Sequence, residues 1–307
     1  MSTLLRPLDR LVPWLWPLAV ADLVANVLIV VTGGAVRLTA SGLGCPTWPR
    51  CSEESYVSHG ELGLHGAIEF GNRLLTFAVA LVAVLTLLAA WRSGRRRASR
   101  LALVVFLGIP AQAVLGGVTV LTQLNPWIVA LHFLVSMAII AVCVLLLDEL
   151  RGPERGAAPL PVRRATLVVF ALGWLSLYLG TVVTGSGPHA GDLDARRTGL
   201  DPQWMSHVHA WSVYALVAAT VVLLVLARRA GAARVAAATG LLLGLELAQG
   251  VVGFVQYFTD LPVVLVAIHM LGAALISASL TAVVLSARPL VRRRTRTPVD
   301  GSTAVTT

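Results

Sequence analysis

The chain has 307 residues, of which 57% are apolar and 13% charged, with a formal net charge of +9. An average soluble domain carries roughly 25% charged residues. Composition therefore excludes a soluble globular enzyme, a disordered chain and a disulfide-rich secreted scaffold, and leaves a membrane protein with most of its mass in the bilayer.

Eight long apolar runs follow one another, at about 14–36, 63–91, 101–121, 127–147, 166–186, 203–227, 235–258 and 262–287. Each is near or above the ~20 residues that a helix needs to cross the hydrocarbon core. The first is too long for a cleaved signal, and no small-residue cleavage site follows it. All 24 basic residues are Arg. Arg6 and Arg10 precede the first run. Arg92, Arg95, Arg96, Arg97 and Arg100 lie between runs two and three, and Arg151, Arg155, Arg163 and Arg164 between four and five. Arg228, Arg229 and Arg234 lie between six and seven, and Arg288, Arg292, Arg293, Arg294 and Arg296 after the eighth. These make 19 on one side, against Arg37, Arg50, Arg196 and Arg197 on the other and Arg73 within a run. The positive-inside rule places both termini in the cytoplasm. The charge is then a topology signal that meets anionic lipid, not a nucleic-acid footprint. The polar stretch at the C-terminus is expected to be disordered, giving a cytoplasmic tail over 288–307.

The chain is a repeat. AQAVLGGVTVLTQLNPWIVALHFLVSM at 111–137 aligns without a gap on AQGVVGFVQYFTDLPVVLVAIHMLGAA at 248–274, a shift of 137. Gln112 meets Gln249, Gly116 meets Gly253, His132 meets His269, and Asn72 falls on His209. VVTGGAVRL at 30–38 resembles VVTGSGPHA at 182–190 at a shift of 152, so the first outer loop is expected to be about 15 residues longer. Two four-helix units in the same orientation give a parallel repeat about an axis along the membrane normal. The expected fold is thus all-α, eight transmembrane helices in two pseudo-symmetric four-helix bundles. The N-terminal bundle covers 1–150 and the C-terminal bundle 165–287.

His132, His209, His269 and the Asn72 position fall at one depth, roughly 10–15 Å below the outer surface. Ionisable groups there are costly and are usually functional. Two His on facing helices at matched depth bracket a planar iron cofactor, and His209 with His269 is the natural pair. The bland reading is that each His merely bonds a neighbouring helix. His207 lies on the other side of its helix and is a propionate partner or water-facing. In the first half, His65, Glu69 and Asn72 line one helical face. Glu69 is either a proton acceptor or the partner of Arg73 or His65. Arg73 either holds a carboxylate such as a haem propionate or snorkels. Cys45 and Cys51, in SGLGCPTWPRC, suit a structural disulfide or a redox pair better than a metal site. Cys143 reads as a buried apolar residue.

VVTGGAVRLTASGLGCPTWPRC, HGAIEFGNRLLT and GGVTVLTQLNPWIVALHF, with HVHAWSVYAL and AIHMLGAAL in the second half, resemble the haem A synthase family over residues of about 14–285. The resemblance implies oxidation of the C8 methyl of haem O to a formyl, giving haem A, by successive hydroxylations in cytochrome oxidase biogenesis. It implies a haem b between His209 and His269, with substrate haem O in the N-terminal bundle on His132. It further implies an essential part for Glu69 and a Cys45–Cys51 disulfide. Many members have His where this chain has Asn72. Either the substrate iron is five-coordinate on His132, or His65 supplies the other ligand. The expected setting is a bacterial plasma membrane with the haem sites toward the outer face. Contact with a haem O synthase or oxidase assembly factors, and self-association, stay open. The residues alone reach a membrane di-haem protein with an asymmetric second site. A cytochrome-b-type electron-transfer protein and a haem-free parallel-repeat transporter are the rivals. Asn72 weakens the first, and the lack of Gly/Pro-broken helices at mid-membrane weakens the second.

Overall fold

A computed structural model describes residues 6–152 and 158–288. Arg155, Arg292, Arg293, Arg294, Arg296 and the tail after Arg288 lie outside the described residues. Among the described residues every long element is helical: α1 (Arg6–Asp9), α2 (Leu15–Leu38), α3 (Gly63–Arg92), α4 (Arg96–Leu121), α5 (Pro126–Arg151), α6 (Leu160–Ser186), α7 (Pro202–Arg229), α8 (Ala233–Phe258) and α9 (Val263–Ser286). Helices α2 to α9 are each long and apolar enough to cross a membrane, and the chain is an integral membrane protein. Helices α4 and α6 begin five or six residues before the apolar runs at 101 and 166. Peptide groups near hydrocarbon must be paired within the segment, so the helix continues through its Arg-bearing end, where long stems reach water.

Caps fix the entries at the opposite end. Asn125 accepts the Trp127 amide at 3.0 Å ahead of Pro126, the first residue of α5. Asp201 accepts the Trp204 amide at 2.6 Å ahead of Pro202 in α7. An Asx side chain followed by Pro is a strong helix start. The α4–α5 and α8–α9 turns share one conformation: Gln123 and Leu124 have φ of 53° and 54°, Asp260 and Leu261 56° and 57°. Each turn closes with the second residue's amide on a carbonyl five residues back, Leu124 on Thr119 at 2.8 Å and Leu261 on Gln256 at 3.1 Å.

Helices α2–α5 form one closed ring of neighbours and α6–α9 another. The rings meet through α2, α5, α6 and α9. Val30, Met137, Ile140, Leu177 and Ala274 fill that junction, and Ser277 donates to the Met137 carbonyl across it at 3.0 Å. The buried positions recur between the rings. Ala98, Ala102, Val105 and Ile109 in α4 match Val235, Thr239, Leu242 and Glu246 in α8, and Val79, Ala83 and Thr86 in α3 match Leu216, Thr220 and Leu223 in α7. Both follow the shift of 137. In α2 the buried Leu15, Ala19, Asp22 and Val30 match Val162, Thr166, Val169 and Leu177 in α6. That register is 147, which corrects the 152 suggested by VVTG. The short motif matched by composition, whereas packing aligns the helices one and a half turns differently. The first outer loop is correspondingly about ten residues longer, not fifteen.

Candidate functional site

The corrected register brings four related niches into view. Gly33 on α2 faces Asn72 on α3, and its added Cβ would lie 3.9 Å from the Asn72 Nδ2. Gly180 on α6 faces His209 on α7 in the same way, 3.3 Å from its Cε1. Gly116 on α4 faces His132 on α5 at 3.4 Å, and Gly253 on α8 faces His269 on α9 at 3.6 Å. A Cβ would be tight only at Gly180, would just touch at Gly116, and would make ordinary contact at Gly253 and Gly33. The Nδ1 atoms of His132, His209 and His269 and the Oδ1 of Asn72 are buried without a hydrogen-bond partner. Buried polar atoms are normally paired, so four orphans in four equivalent niches call for an explanation. The bland reading, in which each His bonds a neighbouring helix, has a candidate partner in the Ser176 backbone for His209, while the Nδ1 of His132 and of His269 has none.

The backbone around the His residues is also held alike. Gln112 donates to the His132 carbonyl at 2.9 Å and Gln249 to the His269 carbonyl at 2.7 Å. Gln112 bonds Ser136 as well. Ser212 donates to the His209 carbonyl at 2.7 Å and meets Ser176 at 3.0 Å. His209 and His269 lie within electrostatic range of each other inside the second ring.

A folded loop covers the first ring. Cys45 and Cys51 form a disulfide. The Glu69 carboxylate accepts the Cys45 amide at 2.7 Å through Oε2 and the Arg73 guanidinium at 2.6 Å through Oε1. Arg73 also donates to the carbonyls of Cys45, Thr47 and Arg50 at 3.1–3.3 Å. The ion pair with Arg73 is therefore formed, and His65 is not its partner: its Nδ1 meets Ser41 Oγ at 2.9 Å. Gly44 lies against the His65 carbonyl, and Trp48 packs on Gly117, next to the glycine that faces His132. His207 is exposed on the outside of α7, with Tyr257 at 3.3 Å. Cys143 is buried, and its thiol lies 3.9 Å from Asn26.

The ends of the two rings that carry the Cys45–Cys51 loop and the α6–α7 segment are laced together. Arg37 at the end of α2 donates to the carbonyls of His189 and Thr184, and His189 Nε2 meets the Leu261 carbonyl at 3.0 Å. The Gly42 amide donates to the Gly191 carbonyl at 2.8 Å.

The family model of the cytochrome oxidase assembly proteins matches residues 16–63 and 63–281. Proteins named haem A synthase from Bacillus cereus (strain AH187), Bacillus anthracis (strain A0248) and Bacillus thuringiensis subsp. konkukian (strain 97-27) are each 32% identical over 143 residues. The chain belongs to the haem A synthase family. Each alignment covers 45% of this chain and 44% of the relative, so the chain spans under half the length of the curated relatives it matches. Membership of the haem A synthase family makes an oxidoreductase-type enzyme the coarse class. Sequence reasoning missed the roles of Gly33, Gly180, Gln112 and Gln249. It also missed two interior carboxylates, Asp22 and Glu246, although each was legible as a lone acid inside an apolar run.

Proposed function

We propose that this chain is a haem A synthase, which oxidises the C8 methyl of haem O to a formyl group by successive hydroxylations. The observation that carries the reading is the set of four matching niches, three holding a half-buried imidazole whose Nδ1 is buried and unpartnered, and one holding Asn72. The donor set fits iron porphyrin: neutral imidazoles would supply nitrogen ligands to iron, and an apolar ring of helices would suit a large, flat, apolar group. In this reading His209 and His269 hold a haem b that supplies one-electron chemistry. His132 holds the substrate haem O in the N-terminal bundle.

Asn72 makes the first site asymmetric. An amide is a poor iron ligand, so the substrate haem would rest on His132 alone or take a second nitrogen from His65, whose Nδ1 meets Ser41 as the outer nitrogen of a ligating imidazole would. Glu69 sits at the loop-covered end of the same ring. Each of its two oxygens accepts one hydrogen bond, Oε1 from Arg73 and Oε2 from the Cys45 amide. Release from Arg73 frees one oxygen to accept a proton, while the Cys45 amide keeps the carboxylate aimed. Trp48 and the Cys45–Cys51 loop exclude water from above.

The recurring registers support a pseudo-two-fold relation between the bundles, and the Arg-rich helix ends support cytoplasmic termini. The haem sites then lie toward the outer face of a bacterial plasma membrane. The test is expression in a host that makes haem O but not haem A, followed by haem extraction and chromatography. Haem A is expected. Haem O alone from a folded, haem-loaded protein would sink the proposal.

A further inference from the structure

The two rings differ in one respect that the repeat makes visible. Glu246, at mid-length in α8, is 2% exposed. Thr220 on α7 donates to its Oε1 at 2.9 Å, and its Oε2 is buried without a partner. Thr239, two turns toward the Arg-bearing start of α8, is fully buried with its Oγ1 also unpartnered. Toward the His residues stand the bonded Ser176–Ser212 pair and Gln249, three residues on from Glu246. The second ring thus carries buried hydroxyls and one carboxyl at intervals between its Arg-bearing end and His209 and His269. At the equivalent places the first ring has Ala102, Ala83, Ile109, Leu75 and Ile29. Gln249 has its counterpart in Gln112, so the difference lies at the other five points, where packing alone does not explain hydroxyls and a carboxyl in one ring against alkyl groups in the other.

Among the described residues, no charged side chain pairs with Glu246. The buried face of α7 beside it is Leu216, Thr220 and Leu223, and that of α9 is Ser277, Leu280 and Thr281. The titratable groups turned toward this interior are His209 and His269. Arg228, Arg229 and Arg234 stand at the ring's end. Seven residues separate Glu246 from Gly253, which faces His269, or roughly 10 Å along the helix. A carboxyl in a low-dielectric interior without a counterion answers a change of charge at that range by binding or releasing its proton.

We infer that Glu246 is the proton-accepting group coupled to the electron held at the His209–His269 site, filled from the Arg-bearing end through the Thr239–Thr220 hydroxyls. The inference rests on the haem b reading of that site. When a one-electron donor of the quinol class, or an electrode mediator, delivers an electron there, Glu246 binds one proton, and oxidation returns both. The carboxyl O–H forms as an O–H of a hydronium ion from the aqueous phase breaks, and a quinol that gives the electron leaves as its semiquinone, releasing its own proton to water.

The test uses the full-length, haem-loaded protein in lipid nanodiscs. Mediator titrations across the neutral pH range should give a midpoint for the bis-His haem that falls as pH rises. Its limiting slope is about 59 mV for each tenfold change in proton activity. Glu246→Gln should flatten that slope, and Asp22→Asn, in the other ring, should leave it. An unchanged slope in Glu246→Gln, or a slope lost in Asp22→Asn, overturns the inference. The reduced-minus-oxidised infrared spectrum of the unmutated protein gives a second reading that does not depend on a variant folding. A protonated-carboxyl band should appear on reduction and shift in Thr220→Val, and its absence overturns the inference. A pH-independent midpoint with the bis-His signal present removes the role of Glu246 alone. A protein lacking that signal removes the haem b reading with it.

Discussion

Arg73 is the residue whose loss should be felt most widely around the first site. It neutralises Glu69 and holds three loop carbonyls. The Glu69 side chain is 8% exposed and that of Arg73 21%. Removing one partner of a buried ion pair costs about 3–5 kcal/mol, because the other charge is left without compensation. The partial exposure of Arg73 screens some of this, so Arg73→Met should destabilise the protein by about 2–3 kcal/mol. Adding Glu69→Gln removes the stranded charge while an amide oxygen still accepts the Cys45 amide. The double variant should therefore recover at least about 1 kcal/mol relative to Arg73→Met, a coupling typical of residues in one network. Reversible unfolding in mixed micelles measures the cycle, and trypsin cleavage after Arg50 reports loosening of the loop. If the two substitutions add within about 0.5 kcal/mol, the pair is not energetically coupled. Arg73 would then be only a loop tether.

Other outcomes follow from the niches and the loop. Gly180→Val should displace the His209 ring, since even a Cβ there stands 3.3 Å from it, and the bis-His haem spectrum should be lost; an unaltered spectrum would show that the niche does not set the ring. Asn72→His should create a second bis-His centre, because Gly33 leaves room beside that position, and electron paramagnetic resonance would reveal it or show its absence. Cys45→Ser with Cys51→Ser opens a loop of sequence separation 6 and should lower stability by about 2 kcal/mol in a thermal or denaturant melt; an equal or higher stability would contradict a stapling role. Glu69→Gln should keep both haem signals in the optical spectrum while haem A formation stops in the haem O host. Undiminished haem A there would remove Glu69 from the chemistry.

The eight spans were legible because hydrocarbon imposes length and apolarity on any helix that crosses it. Arg placement was legible for the same reason. The gap-free alignment around His132 and His269 also carried over to packing, since α4, α5, α8 and α9 keep one buried register and one turn conformation. The α2–α6 register was misread because VVTG is a composition match of four residues, whereas packing is decided over the whole helix by which residues meet neighbours. That error hid the pairing of Gly33 with Gly180, and with it the fact that all four niches are built from a glycine. Glu69 is the reverse case. Sequence spacing offered His65 and Arg73 equally, one turn to either side. The choice was made by Ser41 and the Cys45 loop, which are distant in sequence and invisible to helical periodicity.

The two sites are joined more closely than two bundles side by side would require. Gly33 faces Asn72 inside the first ring, and its neighbour Gly34 points the other way, against Met270 of α9. Met270 in turn follows His269, which faces Gly253 inside the second ring. One glycine pair on α2 therefore touches the first site with one residue and the backbone neighbour of a second-site histidine with the next. A Cβ at Gly34 would lie 2.6 Å from the Met270 sulfur. That atom is the end of a flexible side chain, so the contact yields to a small substitution and resists a large one. The lacing of Arg37, just over a turn past Gly33, to His189 and Thr184 fixes the same helix at its outer end. Helix α2 is thus tied to α6 and the segment after it through Arg37 and touches α9 through the adaptable Met270 side chain. The packed, apolar junction of Val30, Met137, Ile140, Leu177 and Ala274 joins the same helices at mid-length, so both rings share one continuous core there.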